Sequence, residues 1–221
     1  MILSENPETE SGPVTVTDKE LFTKLWSEPR IIFKFINDNQ FDKYTHILLI
    51  LAAISHGFGQ ASTKNMGDKM SLPAVLAMSI LAGGIFGCIT YYIYAAFISW
   101  TGKWLGGIAD TTSVLRILAY AMVPSVLSLL IIIAQVALYG NGMFQSEINL
   151  EDSSMVSVAF YYFSLLLALT LGIWTICFAV VGISVVQKLS VGKSILNLML
   201  PGLIMLAIVL LFILPIVLMK N

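Results

Sequence analysis

LPAVLAMSILAGGIFGCITYYIYAAFISW, residues 72–100, contains no charged side chain and no apolar–polar alternation. At about 1.5 Å of rise per residue, a helix of this length crosses a bilayer core of about 30 Å with residues to spare. Barrel strands alternate over about ten residues, and this run neither alternates nor stops there. Three more long apolar runs lie at residues 114–139, 155–183 and 194–219, with Arg116 at the edge of the first of these. A fifth, residues 44–61, is shorter and ends on His56, Gly57, Gly59 and Gln60. It reads as a short span, with a re-entrant segment as the alternative. The expected fold is all-α: a polytopic membrane protein, with a bundle of five transmembrane helices over residues 44–219.

Composition points the same way. Hydrophobic residues make up 57% of the chain and charged residues 11%, where soluble domains carry about 45–50% and about 25%. A single buried core cannot use that surplus, but a lipid-facing surface can. The net charge of -1 leaves no basic footprint for nucleic acid. Cys88 and Cys177 both sit in apolar runs and read as packing residues, with a disulfide between them the minor alternative.

Lysine and arginine orient the bundle. Lys19, Lys24, Arg30, Lys34, Lys43, Lys103, Arg116, Lys188 and Lys193 fall on one side, and Lys64, Lys69 and Lys220 on the other. The larger group marks the cytoplasm, which puts the N-terminus inside and the C-terminus outside, in a prokaryotic cytoplasmic membrane. Residues 1–17 are polar and acidic, with neither the basic start nor the apolar run of a secretory signal. They are expected to form a disordered cytoplasmic tail.

Residues 18–43 are expected to form amphipathic interfacial helices. Thr17 and Glu20 have capping-box spacing, and Leu21, Phe22, Leu25 and Trp26 share one helical face. Pro29 suits the first turn of a second helix, in which Arg30 and Lys34 interrupt an apolar run. Such helices either lie in the headgroup plane or pack on the cytoplasmic ends of the bundle.

Catalytic constellations are missing from the sequence, and no cofactor or metal site is expected. His46 and His56 are ten residues apart, on roughly opposite helix faces. Gly192-Lys193-Ser194 resembles the end of a phosphate-binding loop, but Gln187 stands where the first glycine belongs and no strand precedes it. The candidate intramembrane polar site is His56 with Gln60, one turn apart, and Gln135; ordinary interhelical hydrogen bonding is the competing reading. Gly83 and Gly87 form a GxxxG step that lets helices approach closely, within the chain or in a homo-oligomer. Pro124 and Pro201 are expected to kink the third and fifth spans.

The residues between the second and third spans are the most distinctive. Lys103, Trp104, Gly106 and Gly107 precede Asp110, Thr112 and Ser113, which offer N-caps, and Arg116 follows. With Trp26, Pro29, Arg30 and Lys34 they form a candidate cytoplasmic face for a protein or lipid partner.

Three segments resemble the Yip family of Ypt/Rab-interacting membrane proteins, its prokaryotic branch in particular. These are Leu25-Trp26-Ser27-Glu28-Pro29-Arg30, Lys103-Trp104-Leu105-Gly106-Gly107, and Ala119-Tyr120-Ala121-Met122-Val123-Pro124 with its tyrosine-then-proline step. The resemblance spans about residues 21–219 and implies a compact five-helix membrane domain. Eukaryotic members bind prenylated small GTPases and shape or sort transport vesicles, but their Asp-Leu-Tyr-Gly-Pro-like stretch has no counterpart here. The expected function is a non-enzymatic membrane scaffold or adaptor. A transporter or channel for a small solute is the alternative.

Overall fold

The computed structural model describes residues 16–147 and 154–218, with side chains through residue 212. All regular structure among the described residues is helical. The expected acidic tail lies outside them, apart from Val16 and Thr17.

Helix α1 (Asp18–Ser27) begins at a capping box. Thr17 Oγ1 accepts the Glu20 N–H at 3.3 Å, and the Glu20 carboxylate accepts the Thr17 N–H at 3.1 Å. Pro29 opens α2 (Pro29–Asp38), so the chain turns at Glu28. Leu21 and Leu25 of α1 and Ile32, Phe33 and Ile36 of α2 are buried in one apolar core with residues of α5 and α7. Protein thus covers most of the apolar face of both helices, while Ile31 stays exposed.

The remaining helices are α3 (Thr45–Thr63), α4 (Leu72–Trp104), α5 (Thr111–Ala121), α6 (Val123–Tyr139), α7 (Met155–Val186) and α8 (Val191–Leu218), with 3-10 turns at Met66–Asp68 and Gly140–Phe144. Among the described residues, four segments are long and apolar enough to cross a membrane: Leu72–Trp104, Val123–Phe144, Met155–Val186 and Val191–Phe212. Helix α3 is not among them. Its serines, threonines, histidines and Gln60 lower its hydropathy although its 19 residues would reach across.

The third expected span is corrected. Residues 114–139 do not form one kinked helix. The chain breaks at Met122, and Pro124 sits in the first turn of α6. Proline has no N–H to give the Tyr120 carbonyl, and its ring crowds that oxygen. Released from the span, α5 becomes the centre of the core, with residues 114–121 all buried.

The bundle has two unlike ends. At one, α1, α2 and α5 pack with the C-terminal parts of α4 and α7 around the main core. At the other, the two 3-10 turns meet: Asn141 Nδ2 donates to Gly67 O at 2.9 Å, and Phe58 stacks on Phe144 at 6.2 Å. Between them the helices are largely bare, as Leu81, Leu130, Leu166 and Leu211 illustrate. With 33 residues, α4 is about 50 Å long, well beyond a bilayer core of about 30 Å.

Candidate functional site

The turn from α4 to α5 is built around a side chain that sequence reasoning had noted only as a missing glycine. Gln187, fully buried at the end of α7, accepts the Ala109 N–H at 2.9 Å and donates to Ile98 O at 3.3 Å. A Cβ at Gly102 or at Gly107 would run into its amide. Gly106 takes a left-handed φ of 90°, which favours glycine. Asn197 of α8, also fully buried, donates to Ile98 O at 3.0 Å and to Thr101 Oγ1 at 2.8 Å. Ser99 Oγ donates to Ala109 O at 2.9 Å, and Lys193 Nζ to Leu105 O at 3.0 Å. The residues resembling a phosphate loop thus tie α8 to this turn, with Ser194 donating back to Ser190 O. Asp110 caps α5 by accepting the Ser113 N–H at 3.0 Å, and its hydrogen bonds to Ser113 hold its carboxyl below the ordinary aspartate range.

The candidate cytoplasmic residues divide into four environments. Arg30 and Lys34 of α2 line an open cavity of about 550 Å³ together with Asn37, Asp38, Ser184 and Lys188. Lys103 and Trp104 are exposed beyond the turn, with the Trp104 ring 4.5 Å edge-on from Trp100. Trp26 is half-buried against Trp174 and Phe178 of α7, at 5.9 and 5.5 Å, and half-buried Pro29 starts α2. Arg116 does not belong to the surface at all. Its side chain is 5% exposed and grips Asp42 with both forks, Nε at 2.6 Å and a terminal nitrogen at 3.1 Å. The guanidinium holds the Asp42 carboxyl below its ordinary range.

Within the bundle, His56 and Gln60 are 3.5 Å apart and exposed. Gln135 lies elsewhere, donating to Ser164 Oγ of α7 at 2.7 Å. It lines a second cleft, of about 380 Å³, with Ser55, Ser128 and Tyr139. Helix α3 separates the two places. Gly83 and Gly87 face Gly57 and Ala53, so the GxxxG step is used between α4 and α3 of the same chain.

A family model, the Yip1 domain, matches residues 24–213. The chain belongs to the Yip1 domain family. It is an integral membrane protein. No curated protein and no solved structure matches it.

The matched region begins inside α1 and ends in α8, so the last turn of α1, all of α2 and the Gln187 turn lie within the Yip1 domain. The Tyr120–Pro124 step also has a job in it. Tyr120, fully buried, accepts the Tyr44 N–H at 3.3 Å and thereby meets an open backbone donor at the start of α3. Pro201, buried on α8, leaves the Asn197 carbonyl without its helical donor, and one residue on Tyr94 Oη donates to Leu198 O at 2.7 Å. Asp42, Gln187, Lys188 and Asn197 are the residues the sequence did not single out for these sites. The closely spaced Gly102, Gly106 and Gly107 were a usable signal that something fills the turn. Nothing in the sequence paired Asp42 with Arg116.

Proposed function

We propose that this Yip1 domain protein is a non-enzymatic membrane scaffold or adaptor, and that the end carrying α1 and α2 is its cytoplasmic working face. The observation that carries the reading is the meeting of Arg30, Lys34 and Lys188 in one open groove. Beside it lies a turn held in place by Gln187. Three cations against one carboxylate, Asp38, suit an acidic protein segment or an anionic headgroup. The family resemblance points to membrane trafficking or organisation.

The orientation has the N-terminus inside and the C-terminus outside, in a prokaryotic cytoplasmic membrane. It needs an odd number of crossings, so α3 counts as the fifth span. Its polar side chains are tolerable at that depth because they line clefts and bond to α6, as Ser55 Oγ does with Ser128 Oγ at 2.8 Å. Photo-crosslinking amino acids placed in cells at Arg30, Lys34, Lys103 and Lys188 should capture a specific protein or lipid. Capture no different from that at exposed Leu166, away from this face, would reject the reading. Reporter fusions should place Asn221 outside.

The cleft lined by Ser55, Ser128, Gln135 and Tyr139 favours a second reading, passage of a small polar solute. Proteoliposomes holding the purified chain, tested for flux across a broad solute panel, decide it.

A further inference from the structure

On the far side of α3 from Gln135, at the end of the bundle opposite α1 and α2, a groove of about 590 Å³ opens between α3 and α4. Its α3 wall is polar, because His56, Gln60 and Lys64 follow one another at intervals of four residues on one face. Lys69, just past the 3-10 turn, adds a second cation at the same end. The α4 wall is mostly apolar, with Met78 and Phe86 exposed by 46% and 68%; of its two polar residues Ser79 is buried and Thr90 donates to Phe86 O. The floor is glycine. Gly57 and Gly83 touch backbone to backbone, which sinks the groove between the helices.

Two facts argue for an occupant. Among the described residues neither lysine has a carboxylate partner, and no acidic side chain lines the groove; the nearby Asp68 accepts the Ser146 N–H instead, at 3.2 Å. Among the described residues His56 and Gln60 reach only each other, across 3.5 Å, while facing the flank of a helix long and apolar enough to span. Polar groups left unpaired at membrane depth are costly and usually mark function.

We propose that this groove binds an anionic phospholipid. The phosphate sits between Lys64 and Lys69, Gln60 and His56 supply neutral hydrogen bonds below it, and one acyl chain lies over the glycine floor past Met78 and Phe86. The opposite gradient of polarity on the two walls matches an amphiphile better than a soluble anion, which would gain nothing from the apolar wall. The site shares no residue with the Arg30 groove and does not depend on the proposed scaffold role.

The test is native mass spectrometry of the full chain taken from nanodiscs of phosphatidylcholine doped with phosphatidylglycerol. The expected result is selective retention of phosphatidylglycerol. Lys64→Gln with Lys69→Gln should lower that retention by about 30-fold, from the usual attraction of two lysines to an anionic headgroup. Ala82→Phe, which fills the groove from its α4 wall, should lower it while leaving the charges in place. Arg30→Gln with Lys34→Gln should leave it unchanged, which separates this site from the cytoplasmic groove. Equal retention of the two lipids, no loss in the double lysine variant, or full displacement by inorganic phosphate at the same concentration would each overturn the proposal. Circular dichroism of each variant identifies any loss that comes from misfolding, and for such a variant Lys64→Arg with Lys69→Arg, expected to retain the lipid, replaces it as the readout.

Discussion

Gly102→Ala should reverse its sign depending on residue 187. In an ordinary helix, replacing glycine by alanine stabilises by about 1 kcal/mol. Here the added methyl would strike the Gln187 amide, and its nearest neighbours are all atoms of that one side chain. Overpacking of this kind costs about 1–3 kcal/mol. Moving the amide also strands the buried Ala109 N–H, for about 1–3 kcal/mol more. The net expectation is a loss of about 2–4 kcal/mol. In a Gln187→Ala background both penalties are absent from the Gly102 step, so Gly102→Ala becomes neutral or stabilising by up to about 1 kcal/mol. Gly107→Ala is the control. Its methyl would meet the Gly102 carbonyl as well as Gln187, so removing Gln187 should not rescue it. Equilibrium unfolding of the four variants by SDS in mixed micelles, followed by fluorescence of Trp100 and Trp104, measures the cycle. Additive effects at Gly102 and Gln187 would refute the claim that this contact shapes the turn.

Asp42→Asn should destabilise by about 2–4 kcal/mol, because it leaves buried Arg116 without a counter-charge; Arg116→Met in the same chain should recover most of that. Arg116 holds the Asp42 carboxyl below its unfolded value, so the pair's contribution is present above about pH 4 and is lost as pH falls through the lowered folded value. Acid unfolding of the wild type should show that loss and Asp42→Asn should not; identical profiles would contradict the assignment. Gly57→Ala should cost about 1–3 kcal/mol against the Ser79 and Gly83 backbone, whereas Gly59→Ala, with open space around it, should cost nothing in the same unfolding assay. Gln135→Leu removes one interhelical bond to Ser164 and should cost about 0.6 kcal/mol, readable as a small shift in thermal stability in nanodiscs.

The long spans were legible because lipid is the main neighbour of α4, α7 and α8, and hydropathy reports that neighbour directly. What depended on a particular partner was not. Arg116 stands near the end of an apolar run, where arginine usually extends its head to water. Asp42, 74 residues away, is what turns it inward. Pro124 announced a disturbance, but a kink and a break look alike in sequence; the break follows from α5 being buried on every side, which a continuous lipid-facing helix could not be. Gln187 reads in the sequence only as the wrong residue for a phosphate loop, since its meaning lies in Gly102 of α4 and Gly107 of the turn that follows it. Where the spacing was local, the reading carried further. Thr17 with Glu20, Asp110 with Ser113, and His56 with Gln60 each meet within one turn.

Pro201 divides α8 into a moored half and a bare one. Upstream, Ser194 and Asn197 are buried and Tyr94 is bonded to Leu198 O. Downstream, residues 203–212 are exposed except for half-buried Ile204, so the protein offers that length almost no lateral support. A proline frees the helix to bend at the point where the support ends. With so little packing to fix it, the tilt of the C-terminal half is free to follow hydrophobic thickness: a thin bilayer lays it over and a thick one stands it up. In mechanical terms α8 is a cantilever, clamped beside the Gln187 turn and loaded by the membrane.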